Sequence, residues 1–391
     1  MFKKKNYLIF GSPEIKSAEI AEVVDTLKSG WIGTGPKTEI FQEMFRNYKG
    51  TDYAIALSSG TAALHLSIEA LGLPTDSEVV TSPMTFAATV NAIIHAGAKP
   101  VFVDCQIGTM NIDPDLIEEK ITKRTRVILP VHFAGRPCAM DKITRIAQKH
   151  GLYIIEDCAH AIEAEYSGKK TGTFGKAGCF SFYVTKNLMT GEGGMVVTDD
   201  REYANRIKML ALHGLSKDAW MRFSDSGYKH YEYLYAGYKY NMTDIQASLG
   251  IHQLKRLESN WLKRKMIWQL YNKYLKGLPL ILPAPTSDNQ RHSYHLYTVM
   301  IDDAKTDLGR DELISILHKY GIGTGVHYVA LHLHKYYQKL LGVKKGDFPN
   351  AEYISERTLS IPLSSKLTTK DINRVIDTLY LVFRRRKQSH A

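Results

Sequence analysis

A largely parallel α/β sheet covered by helices, followed by a smaller C-terminal α+β unit, is the architecture this sequence predicts. Seven short strand-like runs crowd the first half, helical patterns separate several of them, and the texture changes beyond about residue 250. Alternation of strand and helix is the pattern of a parallel sheet whose crossovers return over its faces. The expected units are residues 1–250 and 251–391.

The elements follow in order. Ser12-Pro13-Glu14 reads as a helix start, a capping serine with proline in the first turn. Ile15, Ala18, Val23, Val24 and Leu27 continue it to a stop at Gly30. Strands are expected at 53–58, 78–82, 99–104, 126–132, 152–157, 178–183 and 194–198, with helices over 61–71 and 141–150, the latter stopped by Gly151. A single long helix rich in Lys and Arg is expected over 251–275. A Pro283-Ala284-Pro285 loop, a strand over 295–301 and helices over 310–320 and 370–383 close the chain.

A chain of 391 residues, 44% hydrophobic and 23% charged, has the make-up of a globular protein with a large core. No apolar run approaches the roughly 20 residues that span a bilayer. Residues 1–7 are basic without a long apolar stretch, so a cytoplasmic protein with no membrane partner is expected. Cys105, Cys138, Cys158 and Cys179 show no metal spacing and read as reduced, mostly buried thiols. The net charge of +11 lies partly in Lys3-Lys4-Lys5 and Arg384-Arg385-Arg386-Lys387. No basic stripe with interleaved aromatics appears, so nucleic acid is not an expected partner; a negatively charged small substrate fits the charge equally well.

Two strand ends carry chemistry. Tyr153-Ile154-Ile155-Glu156-Asp157 is apolar until it ends in acid, and Gly178–Lys186 ends in an amine followed by Gly191-Glu192-Gly193-Gly194. Pyridoxal-phosphate chemistry needs both groups: an amine that holds the aldehyde and moves protons, and a carboxylate that keeps the ring nitrogen protonated. Open sheets bind ligands beyond the carboxyl ends of their strands. There Ser58-Ser59-Gly60-Thr61-Ala62-Ala63 hands a strand to a helix, which suits a phosphate, although a plain capped turn reads the same way. Ser181 points to the same end, and Phe86 is either a ring-stacking residue or core.

Together these motifs resemble the DegT/DnrJ/EryC1/StrS family of sugar aminotransferases, of the fold type I class. The resemblance also covers residues 29–36, Glu156-Asp157-Cys158-Ala159-His160-Ala161, Lys186-Asn187-Leu188, Gly237–Asp244 and Gly321–Tyr328. It implies that Lys186 carries pyridoxal phosphate as a Schiff base and acts as acid and base. It places Asp157 on the pyridinium, His160 beside the ring, Phe86 stacked on it, and Gly60, Thr61 and Ser181 on the phosphate. It also implies a homodimer with shared sites, residues 237–244 reaching the partner's cofactor. Here Lys239 and Asn241 depart from the common Asn and Arg of that stretch. That variant is similar to the branch making UDP-4-amino-4-deoxy-L-arabinose for lipid A. The implied reaction moves an amino group from L-glutamate to the C4 keto group of a nucleotide-linked sugar for lipopolysaccharide, O-antigen or a related glycan.

Competing readings are a ketocyclitol aminotransferase of the aminoglycoside type, or a non-catalytic regulator on the same fold. His327, His332 and His334 match no common zinc spacing, and no metal is expected. Substrate contacts suit His327 and Tyr328, with surface positions for the other two histidines, two of the three sharing a strand face. Gly30, Gly33 and Gly35 lack a preceding strand and are not a dinucleotide fingerprint. They read as a flexible loop near the site, with Thr34 touching substrate.

Overall fold

The computed structural model describes residues 7–215 and 232–389; Lys3-Lys4-Lys5 lies outside them. Helices α1 (Ser17–Ser29) and α2 (Pro36–Lys49) precede β1 (Tyr53–Leu57). Then come α3 (Gly60–Glu69), β2 (Glu78–Thr81), α4 (Ala87–His95), β3 (Lys99–Phe102), β4 (Thr125–Ile128), α5 (Met140–His150) and β5 (Tyr153–Asp157). A hairpin of β6 (Glu165–Tyr166) and β7 (Lys169–Lys170) leads to β8 (Ala177–Ser181), β9 (Gly194–Thr198) and α6 (Arg201–Ala211).

All seven expected strands join one sheet in the order β1-β9-β8-β5-β4-β2-β3. Strand β9 alone runs opposite to the other six. The strands read as apolar runs because both sheet faces are covered. Ile55, Leu57, Cys179 and Val196 pack with α3 and α6. Their alternates Ala54, Ala56, Phe180 and Val197 pack with Phe41 and Phe45 of α2. Helix α5 packs Met140, Ile143 and Ala147 with Val80, Ile128 and Ile154. All four cysteines are free and buried.

Two helix boundaries differ from expectation. The first helix begins at Ser17, with Lys16 as its cap and Glu19 bonded back to the Lys16 amide, so Ser12-Pro13 precedes it as loop. Gly30 and Gly151 do stop α1 and α5 in the left-handed region, at φ 74° and 63°. The single helix expected over 251–275 is two, α7 (Asp244–Lys255) and α8 (Leu257–Tyr274), broken at Arg256 where φ is −109° and ψ 10°. No proline or glycine marks that break. The expected unit boundary at 250 falls inside α7, whose Ala247, Ile251 and Leu254 share a core with α2.

The remaining elements build a second core. Strands β10 (Leu280–Ile281), β12 (Tyr297–Ile301) and β13 (Thr358–Ile361) form an antiparallel sheet, while β11 (Gln290–Arg291) joins the β6–β7 hairpin. Of helices α9 (Arg310–Lys319), α10 (Lys335–Leu341), α11 (Pro349–Arg357) and α12 (Thr369–Ser389), α9 and α12 pack on this sheet with Ile267, Trp268 and Tyr271 of α8. No helix among the described residues is long and apolar enough to cross a membrane.

Helix α1 is turned inside out. Glu19 and Thr26 are buried, whereas Ile20, Val24 and Leu27 are exposed at 58%, 42% and 53%. Glu19 is satisfied by Gln253 of α7 at 3.0 Å and by Arg256. The apolar stripe therefore faces away from the α7 side.

Candidate active site

The C-terminal ends of β1, β5 and β8 meet at one mouth of the sheet, around a cavity of about 490 Å³. It brings together Gly60, Thr61, Phe86, Asp157, His160 and Ser181 with Lys186, His327 and Tyr328. Ser59 caps α3 by accepting the Ala62 amide at 3.0 Å. The first-turn amides and the helix dipole then face the cavity and favour an anion. A Cβ on Gly60 would sit 2.7 Å from the Ser181 Cβ, so the close approach of α3 to the end of β8 requires glycine.

Asp157 is 4% exposed at the end of β5. Its Oδ1 accepts the Ala159 amide at 3.0 Å and its Oδ2 the Thr89 hydroxyl at 2.8 Å. Burial pushes its carboxyl above the ordinary range, against the pull of those two donors and of Lys186. Burial likewise pulls the Lys186 amine down to about 8, opposed by Asp157. Lysine-selective labelling of the cofactor-free protein is therefore expected to reach half its maximal rate at Lys186 near pH 8, instead of near 10.5 as for a solvated lysine. Peptide mapping across a pH series measures this, and a Lys186 that titrates with the surface lysines refutes it.

Three histidines surround the amine. His160 Nδ1 accepts the Ala134 amide at 3.3 Å, which leaves Nε2–H for the Tyr328 hydroxyl, also at 3.3 Å. His327 Nδ1 lies 2.9 Å from the Ser360 hydroxyl, and burial with the charge of Lys186 takes it down to about 4. His295 packs its ring 4.5 Å from His160 and bonds the Asn187 side-chain Oδ1 through Nδ1 at 3.0 Å. Asn187 in turn donates to Glu163 at 2.9 Å, and Glu163 pairs with Arg264. This buried string anchors the turn that follows Lys186. Phe86, at the cap of α4, is 62% exposed with its ring 6.0 Å from Tyr328.

Thr34 and Asn241 lie elsewhere, lining a second cavity of about 350 Å³. Asn241 donates to the Thr34 hydroxyl at 2.6 Å, which donates to the Met242 carbonyl at 2.5 Å. Lys239 bridges to Leu212, so none of the three lines the Lys186 cavity. Asp244 pins the 33–35 loop. Buried Asp244 accepts the amides of Gly35, Lys37 and Thr38 at 2.8, 3.0 and 3.0 Å and the Thr38 hydroxyl at 2.6 Å. Asp244→Ala is expected to cost about 3 kcal/mol by stranding those donors. Chemical denaturation measures it, and a loss under about 1 kcal/mol would mean the turn holds without its carboxylate.

His332 also differs from the expected surface position on a strand. It sits in a 3-10 turn, not a strand, and is buried against Glu352 at 3.0 Å. Buried His132, Glu156 and Cys158 come close enough for a metal, but the His132 and Glu156 atoms are engaged. Glu156 accepts the Gly172 and Phe174 amides at 2.7 Å each, and His132 receives the Cys138 amide at Nδ1 and meets Glu156 through Nε2, both at 3.0 Å. No motif in the sequence marks Thr85, Thr89 or His295. Their signal is faint: Thr85 and Thr89 flank Phe86 at a four-residue spacing, one helical turn.

The family model of the DegT/DnrJ/EryC1/StrS aminotransferase family matches residues 13–380. The chain is 46% identical over 378 residues to the spore coat polysaccharide biosynthesis protein SpsC of Bacillus subtilis, covering 96% of this chain and 97% of that one. Spr1654 of Streptococcus pneumoniae, assigned as a sugar aminotransferase and solved in its PLP-form, superposes with a TM-score of 0.91 at 34% identity, covering 97% and 99% of the two chains. DesI, solved in the presence of its TDP-sugar product, gives 0.87 at 31% identity, covering 99% and 96%.

Proposed function

The chain belongs to the DegT/DnrJ/EryC1/StrS aminotransferase family, and from that premise we propose that it transfers an amino group from L-glutamate to the C4 keto group of a nucleotide-linked sugar. It is a sugar aminotransferase of fold type I whose cofactor is pyridoxal phosphate. The residues fit that group. An anion seat at α3, a buried amine, a buried carboxylate and an uncovered aromatic ring share one cavity. When bound, the cofactor supplies an aldehyde for the amino group and a ring that withdraws electrons.

The observation that carries the proposal is Lys186 and Asp157 in one cavity, an amine lowered to about 8 and a carboxyl raised by burial. Lys186, whose amine burial brings down to about 8, would hold the cofactor's aldehyde and carry the proton released from the donor's α-carbon. Asp157 holds the proton on the ring nitrogen. Gly60, Thr61 and Ser181 seat the phosphate, Phe86 covers one ring face, and His160 stands beside it. His327 and Tyr328 line the way in and contact the sugar. Thr34, Lys239 and Asn241 serve the site of a second copy in a homodimer. The exposed stripe of Ile20, Val24 and Leu27 supports such a partner, because an inside-out helix is stable when another surface covers it.

Lys239 and Asn241 favour the aminoarabinose branch, and the spore coat polysaccharide role named for SpsC favours a polysaccharide product. The test supplies L-glutamate with 4-keto sugars carrying UDP, TDP or GDP, and follows 2-oxoglutarate and the position of the new amine by NMR. Turnover of free ketocyclitols alone would favour the aminoglycoside reading. Cofactor binding without turnover of any keto-sugar would favour the regulator.

A further inference from the structure

Beside Asp157 stands a pair of hydroxyls that the aminotransferase reading does not use. Thr85, Thr89 and Asp157 are 2%, 1% and 4% exposed, and the Thr85 and Thr89 oxygens are 2.7 Å apart. A helical threonine or serine commonly returns its hydroxyl to the carbonyl four residues back. Thr26, Ser315, Ser355 and Thr378 all do so in this protein. Thr89, in the first turn of α4, instead sends its hydroxyl across to Asp157 Oδ2 on β5 at 2.8 Å. With its one proton committed to an ionised Asp157, Thr89 accepts from Thr85. The donors thus run in one direction, Thr85 to Thr89 to Asp157.

We propose that Thr89, ordered by Thr85, is a positioning residue that fixes the Asp157 carboxylate toward the cofactor's ring nitrogen and keeps it ionised. The Ala159 amide is bound to the other oxygen at 3.0 Å, so any rotation of the carboxylate breaks both contacts at once. Each oxygen retains a lone pair, and Asp157 lines the cavity with its carboxylate held by both donors. A hydroxyl donating to a buried anion favours the charged form. An apolar residue in the same space would leave Asp157 with a single donor and a freer torsion. This assignment rests on pyridoxal phosphate occupying the Lys186 cavity.

The test loads the holoenzyme with pyridoxal phosphate carrying ¹⁵N in the ring and follows that nitrogen by NMR across pH. Thr89→Val keeps the shape and removes the hydroxyl, whereas Thr89→Ser keeps the hydroxyl. In the valine variant the ring nitrogen is expected to lose its proton about one pH unit earlier than in the wild type, the size of one charge-assisted hydrogen bond. The serine variant is expected to restore the wild-type titration. Thr85→Val is expected to shift it in the same direction by less, which keeps the test open if the Thr89→Val protein does not fold. A valine variant that titrates with the wild type overturns the role of Thr89 and leaves the cofactor assignment standing. A wild-type protein that takes up no labelled cofactor overturns both.

Discussion

Lys186→Ala is expected to lower transamination by about 10⁴-fold or more, since the proposed mechanism has one side chain supply both the covalent anchor and the mobile proton. The wild-type holoenzyme should show a visible band near ~420 nm that moves towards ~330 nm with L-glutamate, as this cofactor does when it gains an amino group. The variant should lack the anchored band yet retain cofactor, because the seat at α3 and Ser181 is independent of the amine. Its cofactor-free form should also melt no lower than wild type at pH 7. Burial holds the Lys186 pKa near 8 in the folded state against 10.5 for the ordinary amine. The unfolded chain therefore binds more protons between those two values, and this residue's contribution becomes more favourable as pH rises through the window. Below about pH 8 it is a liability that alanine removes. Turnover near the wild-type rate would transfer the chemistry to another group.

Asp157→Asn is the second large effect, with an opposite pH dependence of stability. Breaking a buried ion pair costs about 3–5 kcal/mol, or roughly 10²- to 10⁴-fold in rate if it is felt in the transition state. Glutamate-driven conversion of the bound cofactor should slow by that order. In the cofactor-free protein, burial raises the Asp157 pKa above the ordinary 3.8. Between that value and its folded value the folded state keeps a proton that the unfolded state has lost, so stability falls as pH rises through the window. At neutral pH the ionised carboxylate is then a net burden, and asparagine should raise the melting temperature of the empty protein. Thermal melts with and without cofactor check both halves. A variant that keeps its rate, or one whose empty form melts lower at pH 7 than at pH 4 relative to wild type, would remove Asp157 from the role assigned.

Local pattern carried a good deal of this. The strands were legible because each is buried on both faces, so Ile55 and Ala54 are both apolar though they point to different cores. Glycine stops at Gly30 and Gly151 were legible because the left-handed turn leaves a residue-level mark. The break at Arg256 was not, since tertiary packing and no special residue makes it. The start of α1 was misplaced because Ser12-Pro13 has the composition of a cap without its partners. At the site, Asp157 stands at a strand end and Lys186 in the turn beyond one, where a sequence can point to them. Thr89 acquires its meaning only when α4 is laid beside β5, and His295 only when the string through Asn187 and Glu163 assembles. Asp244 hid in the same way, as a carboxylate closing a turn more than two hundred residues away in sequence.

The single reversed strand has a consequence for redesigning the chain. Because β9 runs against its neighbours, residues 187–193 double back at the mouth without first crossing the sheet, and Gly194 pairs with both Leu57 and Ser181. Length in that stretch is thereby locked to the spacing of three strands. At the opposite rim the exposed turn at 74–76 holds no group of the cavity. New termini, a reporter peptide or a tether to a surface belong there, where the chain can be opened without disturbing the mouth. One residue added between 187 and 193 would move the lysine turn and the anion seat together.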